Sequence, residues 1–430
     1  MRLVSTRNPS HRATFLDALQ RGFAPDGGLY VPEPVACFRD VSRLLEMGFQ
    51  ERSLVIVHRL LGEEFSLEEL ELAVMGAFDF PLPLTRIGDR MAVLEPFHGP
   101  TASIEDFGAR FLARMQDLAE ARGTAHLKTL LTATAGASGA AVAHAFAGRR
   151  GTRVVILYPK GRISALEARQ IATPGGNVLA YAVEGDLDAC QALVCLCRAD
   201  HALAEPLHLG SADATHIAWL LAFVLLHFEA VAQLRALGFQ EAPVMAVPGG
   251  DLGLLYAGLW AKAMGLPVKA FVVAANANRT VSDYLNSSEY LPRPSVPTLT
   301  KNLDIAEPFN WERVTHFFGG DLGRMREALR WGSVDDAATR KAMWELHQRG
   351  FVPEAHGAVA YGVLEERRAL NETGVFMAPM HPAKDHELLE RAMNLKPEWP
   401  ASLAALAANP PAAKVLPKDL AALRKELGVS

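Results

Sequence analysis

The sequence is poor in cysteine and lacks any apolar run long enough to span a membrane. Its 430 residues include four cysteines, Cys37, Cys190, Cys195 and Cys197, with no CxxC pair and no matching histidine spacing. We therefore expect neither a metal site nor a disulfide framework. The longest apolar run, residues 217–226, is about half of the roughly 20 residues that a bilayer requires. The first residues also lack the long apolar region of a signal peptide.

The sequence also lacks a block of basic residues. It has 43 Lys and Arg against 48 Asp and Glu, a net charge of −5 without local concentration. This excludes the electrostatic pattern of nucleic-acid and anionic-membrane binders. Half of the residues are hydrophobic, so the chain can bury a large core, and its length predicts two or three domains. We expect a cytoplasmic protein with neither nucleic acid nor membrane as partner.

The order of the segments predicts an α/β protein. Residues 1–92 form an N-terminal segment in which Ser66 and Glu69 indicate a helix cap. Beyond it, nearly continuous apolar strands alternate with helices, which is typical of parallel sheets covered on both faces. Ligands of such folds lie at the carboxyl ends of strands, where this sequence has two glycine-rich turns, residues 134–141 and 248–253. Residues 277–320 are rich in Asn, Ser and Pro, and this composition predicts a long irregular segment on the surface.

The segment 98–108 joins a predicted strand to a predicted helix. It reads His-Gly-Pro-Thr-Ala-Ser-Ile-Glu-Asp-Phe-Gly. Ser103 and Asp106 have the spacing of a capping box. Glu105 would then lie in the first helical turn, where the helix dipole favours an acid.

This segment resembles the cofactor-lysine segment of the threonine synthases, which use pyridoxal phosphate. The family pattern is Gly-Pro-Thr, a few residues, then Lys-Asp-Phe-Gly, and this chain has Glu105 at the place of the lysine. Residues 155–164, 228–234 and 381–384 resemble further family segments, and the resemblance extends from about residue 3 to 425.

The resemblance implies a tryptophan-synthase-β-like fold: two parallel-sheet α/β domains with a cleft between them, plus the N-terminal α/β segment. It also implies an activity that eliminates phosphate from O-phosphohomoserine and adds water to give threonine. On this basis we assign residues 93–128 and 206–430 to a large domain and residues 129–205 to a small inserted domain.

The motifs that bind cofactor and substrate in the family are altered here. In the small-domain turn, Ala135 and Ala137 lack the family's polar side chains, while Thr134 and Ser138 remain. In the phosphate loop an aspartate replaces the family's asparagine and would repel a phosphate. The candidate cofactor-binding residues are Thr134, Ser138, Gly249, Gly250, Asp251, Leu252 and Gly253.

Other substitutions affect the rest of the family's site. Asp213 and His216 stand where the family has asparagines, and Trp219 stands where it has an arginine. Pro379 replaces a threonine. His216 is a candidate acid–base group, with a buried structural histidine as the alternative. We expect Trp219 to belong to the core.

A glutamate cannot form an imine, so the leading hypothesis is a threonine-synthase-like pseudoenzyme. It would bind an amino acid, a phospho-amino acid or a protein partner, with pyridoxal phosphate absent or held non-covalently. One alternative is an altered lyase independent of pyridoxal phosphate, with Glu105, Asp251 or His216 as acid–base groups. Others are a substitute lysine, Lys128 or Lys384, and a threonine synthase with a substituted lysine.

Overall fold

The N-terminal segment is a three-stranded antiparallel sheet with four helices. The computed structural model describes residues 1–122, 128–406 and 413–429. The predicted cap is confirmed, because Ser66 and Glu69 exchange both hydrogen bonds of a capping box. The elements are β1 (Arg2–Ser5), β2 (Arg12–Thr14), α1 (Phe15–Arg21), β3 (Tyr30–Pro32), α2 (Ser42–Glu46), α3 (Phe49–Leu61) and α4 (Leu67–Ala77).

The remainder of the described chain alternates strands and helices. Its elements are β4 (Leu84–Gly88), β5 (Met91–Leu94), α5 (Glu105–Ala121), β6 (Lys128–Ala133), α6 (Ala137–Phe146), β7 (Thr152–Pro159), α7 (Ala165–Ala172), β8 (Val178–Val183), α8 (Leu187–Ala199), α9 (His201–Ala204), β9 (Gly210–Ser211), α10 (Ile217–Ala236), β10 (Val244–Pro248), α11 (Gly253–Ala263), β11 (Ala270–Ala275), α12 (Thr280–Ser287), α13 (Trp311–Phe317), α14 (Leu322–Ala328), β12 (Leu329–Ser333), α15 (Asp336–Gln348), α16 (Ala355–Arg367), β13 (Gly374–Met377), α17 (His386–Met393), α18 (Ala401–Ala404), β14 (Lys414–Leu416) and α19 (Leu420–Leu427). Short 3-10 turns cover Lys301–Leu303 and Pro382–Asp385.

Two sheets carry the body of the protein. The larger has the strand order β12-β11-β10-β13-β5-β4 and is parallel except for β4. The smaller is parallel, with the order β14-β8-β7-β6-β9. The predicted fold class, with two parallel-sheet units and an N-terminal segment, is confirmed. Strands β6 and β10 both end at glycine-rich turns, as expected.

Two expectations about the chain's later parts are corrected. We assigned residues 206–430 to the large domain, but β14 pairs with β8 of the smaller sheet. Leu423 and Leu427 of α19 then bury their side chains in the smaller sheet's core, which gives the tail its place there. The excursion 277–320 is also less irregular than expected, because it contains α12 and α13. Strand β9, which also lies within residues 206–430, pairs with β6 of the smaller sheet, and the other domain limits stay predictions.

Helix α10 lies at the centre of the protein. It is apolar on every face, and 94% of its most apolar 18-residue window is buried inside the protein. By length and composition it is the one described helix that could cross a membrane, and its burial is that of a core helix. The charged residue Glu229 on this helix is buried and forms an ion pair with Arg52 of α3.

This buried ion pair predicts a large loss of stability when one partner is removed. Arg52 also donates to the carbonyls of Leu44 and Met47, and burial lowers its pKa to about 10. Arg52→Met leaves the carboxylate of Glu229 buried without its cation. We expect urea unfolding to show a loss of about 3–5 kcal/mol.

Two variants control this measurement. Arg52→Met combined with Glu229→Met should recover most of the loss, because no charge is left buried. Arg391→Met breaks an exposed ion pair with Glu387 and should cost less than about 0.5 kcal/mol. If Arg52→Met lowered the free energy of unfolding as little as Arg391→Met, the buried ion pair would not have the expected importance for stability.

Candidate functional site

A cavity lies between the two sheets, at the carboxyl ends of their strands. Its volume is about 370 Å³. The parallel arrangement accounts for this place, since the strands of both sheets end there in turns that enter helices. Polar residues at its wall include Ser103, Glu105, Thr134, Ser138, Asp213, Thr215, Asp251, Asn302 and His356.

The segment 98–108 forms the floor of this cleft. Residues 102–104 are tied to the end of β13, because the amide of Ile104 donates to the carbonyl of Pro379 at 2.7 Å and that of His381 to Ala102 at 3.0 Å. Trp219 of α10 packs onto Gly108, where a Cβ would lie 2.1 Å from the indole. These contacts bring Glu105, the first residue of α5, to the cleft.

The predicted capping box of Ser103 and Asp106 does not form. No side chain caps α5, and Asp106 instead accepts hydrogen bonds from the amide (2.8 Å) and hydroxyl (2.9 Å) of Thr101. A Cβ at Gly99 would lie 2.6 Å from the Asp106 carboxylate. The Gly-Pro-Thr and Asp residues of the segment therefore stabilise the loop, and Glu105 keeps its expected place in the first helical turn.

The carboxyl group of Glu105 has one oxygen without a hydrogen-bond partner. Its Oε2 atom is buried and unpaired. Burial, followed by the charge of Asp251, raises the pKa of Glu105 to about 8, against smaller opposing contributions from Trp219 and Lys384. Near neutral pH the group is thus mostly protonated, and a cation entering the cleft would favour its charged form.

The glycine-rich turn after β10 is largely closed by internal hydrogen bonds. The amide of Gly249 donates to Ala274 (2.7 Å) and that of Leu252 to Gly249 (2.8 Å). The amide of Gly253 donates to the carboxylate of Asp251 at 2.9 Å. Three of the amides that could face a phosphate are therefore already bonded within the protein, one of them to a carboxylate.

Asp251 is held from the other side by a buried polar chain. Its Oδ2 lies 3.3 Å from Asn310 Nδ2, and Asn310 Oδ1 accepts from the guanidinium of Arg313 at 2.6 Å. Burial raises the pKa of Asp251, while the Gly253 amide and then the charge of Arg313 oppose the shift. The guanidinium of Arg313 relieves only part of the repulsion expected between Asp251 and an anion, because Asn310 lies between the guanidinium and the carboxylate.

The turn after β6 keeps hydroxyl groups at the cleft. Thr134 Oγ1 accepts from the amides of Gly136 and Gly139, both at 2.9 Å, and lies 2.9 Å from Ser138 Oγ. Ala135 and Ala137 also line the cleft and offer no polar side chain. Ser138 is therefore the hydroxyl of this turn best placed to meet a ligand.

Several residues proposed from the sequence are not part of the cleft wall. His216 is fully buried and caps α10 by accepting from the Ala218 amide, and burial lowers its pKa to about 3. The structural interpretation of His216 is favoured over an acid–base role. Trp219 is core, as expected.

Neither proposed substitute lysine faces the cleft. Lys384 Nζ is buried 3.3 Å from Gln170 Oε1 and 3.6 Å from Glu167 Oε1. Lys128 lies at a different cavity. In the part of the chain that the structure describes, no lysine lines the cleft. The substitute-lysine hypothesis therefore has no support in the geometry.

Asp213 lines the cleft but is fully engaged. It accepts from Thr132 and Ser211 at 2.6 Å each and forms an ion pair with Arg198. Arg198 in turn lies over the ring of Phe23, 3.9 Å from its centroid. Asp213 therefore contributes to the structure of the wall and adds little free charge.

His356 was not identified from the sequence. It lines the cleft at the start of α16, and its Nε2 atom is buried without a partner. Burial lowers the pKa of His356, but the hydrogen bond and charge of Glu354, with Asp385, outweigh it and raise the pKa. A lone Glu-Ala-His run carries no motif spacing, so no sequence signal pointed to this residue.

Glu354, His356 and Asp385 have ligand atoms within 4.8 Å of one another, a spacing that could hold a metal ion. Backbone contacts account for the cluster. Glu354 caps α16 by accepting from the His356 and Gly357 amides, and Asp385 accepts from the Ala355 amide at 2.9 Å. The expectation of no metal site stays a prediction.

Comparison with known proteins identifies the family. A model described as "Threonine synthase N terminus" matches residues 2–78, and one described as "Pyridoxal-phosphate dependent enzyme" matches residues 84–377. The threonine synthase of Serratia marcescens is 41% identical over 99% of each chain, and that of Escherichia coli is 40% identical over 99% of each. The chain belongs to the threonine synthase family.

Solved structures of the family have the same fold. The crystal structure of Escherichia coli threonine synthase matches with a TM-score of 0.94 and 39% identity, over 100% of this chain and 99% of that one. The pyridoxal-phosphate-bound threonine synthase of Brucella melitensis matches at 0.91 and 30% identity, over 99% and 98%. Among our hypotheses, these names favour a threonine synthase with a substituted lysine, and they give no support to a pseudoenzyme.

The raised pKa of Glu105 predicts a specific pH dependence of stability. Glutamate in the unfolded chain loses its proton near pH 4.5, whereas folded Glu105 keeps it to about pH 8. Between these values the folded state binds more protons, so the free energy of unfolding falls as the pH rises. The loss is up to about 5 kcal/mol and levels off above pH 8.

Glu105→Gln removes this contribution and leaves Asp106 and Asp251 in place. Urea unfolding at pH 5, 7 and 9 should show the variant gaining stability over the native chain as the pH rises. A difference that stays constant with pH would show that Glu105 titrates normally.

Proposed function

We propose that this threonine synthase homologue binds an amino acid in its cleft and does not carry out imine chemistry there. The observation that carries the proposal is the pair Glu105 and Asp251. One carboxyl group stands at the family's lysine position, and the other accepts from the phosphate loop's own amide. A negative charge on either group raises the free energy of ionising the other. A ligand ammonium group would lower that free energy, because its positive charge stabilises both carboxylates.

The residues present do not fit a lysine-linked pyridoxal phosphate. The described cleft wall offers no amine for its aldehyde, and the loop that would hold its phosphate carries the Asp251 carboxylate. Two unit charges about 4 Å apart cost on the order of 4 kcal/mol at an effective dielectric of about 20. That is half of the binding free energy of a micromolar site.

The same wall suits an amino acid. Glu105 would accept from the ammonium group, and the charged form of His356 would donate from Nε2 to the carboxylate. Ser138 and Asn302 provide polar contacts for a side chain. Amino-acid binding, the cytoplasmic location and the absence of a nucleic-acid or membrane partner are proposals for this chain.

A second candidate is threonine synthase activity itself. Relatives about 41% identical over nearly the whole chain carry that name. In this case the protein would release phosphate from O-phosphohomoserine even though residue 105 is a glutamate and cannot form an imine. The hypothesis of a lyase independent of pyridoxal phosphate predicts the same release without added cofactor, with Glu105 or Asp251 as the acid–base group.

Ligand binding tests the proposal directly. Isothermal titration with L-threonine should show binding, and Glu105→Gln should weaken it about 10- to 100-fold, because a hydrogen bond to a charged group is lost. N-acetyl-L-threonine, which lacks the ammonium group, should bind poorly to both proteins. Equal binding of the two compounds would contradict the assigned role of Glu105.

Cofactor and activity assays distinguish the two candidates. With pyridoxal phosphate the native chain should show no visible imine band and release no phosphate from O-phosphohomoserine. Glu105→Lys should still bind the cofactor weakly, whereas Glu105→Lys with Asp251→Asn should bind it at least about 100-fold more tightly, since the repulsive charge is removed. Phosphate release by the native chain would overturn the proposal and establish the second candidate.

A further inference from the structure

A second cavity lies on another side of the protein and shares no residue with the cleft. Its volume is about 670 Å³. It is bounded by α1, the end of α5, the first residue of β6 and the segment after α9. The polar residues at its wall include Gln20, Arg21, Gln116, Glu120, Lys128 and His208.

The amine of Lys128 is held loosely in this cavity. Its Nζ lies 3.3 Å from Gln116 Oε1 and 3.4 Å from the carbonyl of Leu19, both at the long end of hydrogen bonding. Within residues 1–122, 128–406 and 413–429, no carboxylate lies within 4.0 Å of this amine. Glu120 is the nearest acid by its effect on Lys128, and it accepts from Thr152 at 2.8 Å.

Burial makes this amine a nucleophile at ordinary pH. It lowers the pKa of Lys128 to about 8, against a smaller opposing effect of Glu120. The other ionisable groups at the cavity are Arg21, Glu205 and His208, and His216 lies close enough for the charge of Lys128 to add to the effect of burial on its pKa. At pH 7 the neutral fraction is roughly 300 times that of an amine with a pKa of 10.5.

We propose that this cavity is a second ligand site, in which Lys128 forms an imine with a small aldehyde that carries an anionic group. The amine nitrogen attacks the carbonyl carbon and forms the C–N bond. The carbonyl oxygen becomes a hydroxyl group and then leaves as water while the nitrogen lone pair forms the C=N bond. The two protons of this water balance the two that the nitrogen loses. No oxidant or reductant is needed.

The anionic group is inferred from Arg21. This arginine is the last residue of α1, and its side chain is exposed at the cavity wall. Within the described ranges no carboxylate lies within 4.0 Å of it, and it interacts with the more distant charge of Asp17 and with the hydroxyl of Tyr30. A guanidinium group binds a carboxylate or phosphate through two parallel hydrogen bonds. The inference is independent of the proposed amino-acid site, because it uses neither Glu105 nor Asp251.

Reductive trapping tests the proposal. The full chain is incubated at pH 7 with glyoxylate and sodium cyanoborohydride, and the modified peptides are identified by mass spectrometry. We expect Lys128 to be labelled at least about tenfold faster than Lys341, an exposed lysine paired with Glu345. The rate at Lys128 should rise to half its maximum near pH 8. Labelling in proportion to exposure, or first at Lys384, would overturn the proposal.

Two further measurements examine the anion preference and the site. Acetaldehyde, which lacks the carboxylate, should label Lys128 at least fivefold more slowly than glyoxylate, and Arg21→Gln should abolish this difference. Lys128→Arg should lose the rapid label, whereas Lys341→Arg should keep it, with folding of each checked by circular dichroism. Equal rates for the two aldehydes in the native chain would exclude the role of Arg21.

Discussion

The structure depends on the burial of helix α10 on all of its faces. A helix without a solvated side must neutralise or pair every ionisable group that it carries. Burial accordingly lowers the pKa of His216 to about 3 and that of His227 to about 4. Glu229 forms a buried ion pair with Arg52. The same helix positions the cleft, because Trp219 packs against Gly108 and thereby sets the start of α5.

The family's sequence frame around the cleft serves the packing of this protein. Gly99 leaves room for the Asp106 carboxylate, Thr101 donates to it, and Gly108 leaves room for Trp219. These requirements hold whatever residue stands at position 105. A close match to threonine synthases in the frame is therefore compatible with the altered cleft chemistry that we propose for Glu105 and Asp251.

The carboxyl groups of Glu105 and Asp251 affect each other's ionisation. Either one alone in a buried cleft would shift toward its neutral form, and together they repel. Asp251 is partly compensated by the Gly253 amide and the Asn310–Arg313 chain, whereas the Oε2 atom of Glu105 is buried without a hydrogen-bond partner. Glu105 therefore stays protonated near neutral pH, and an approaching cation would favour its charged form.

Much of the fold could be predicted because it follows from local patterns. Alternating apolar strands and helices predicted the two parallel sheets, and the cap at Ser66 forms as its spacing indicates. The same rule failed at Ser103, because Asp106 has a better partner in Thr101 across a loop that only Gly99 allows. Local spacing cannot represent such competition between partners.

The sequence by itself determined the family, the sheets, the place of Glu105 in the first turn of α5 and the carboxyl group at that position. These follow from residue identity and from spacing within one element. Only the tertiary structure decided which groups meet in the cleft: His356 joins it, His216 and Lys384 are excluded, and Lys128 lies at a separate cavity. The physical reason is that elements distant in the chain set the burial and the neighbouring charges of each group. Burial and charge then determine that Glu105 holds its proton near neutral pH and that the amine of Lys128 loses its proton more readily.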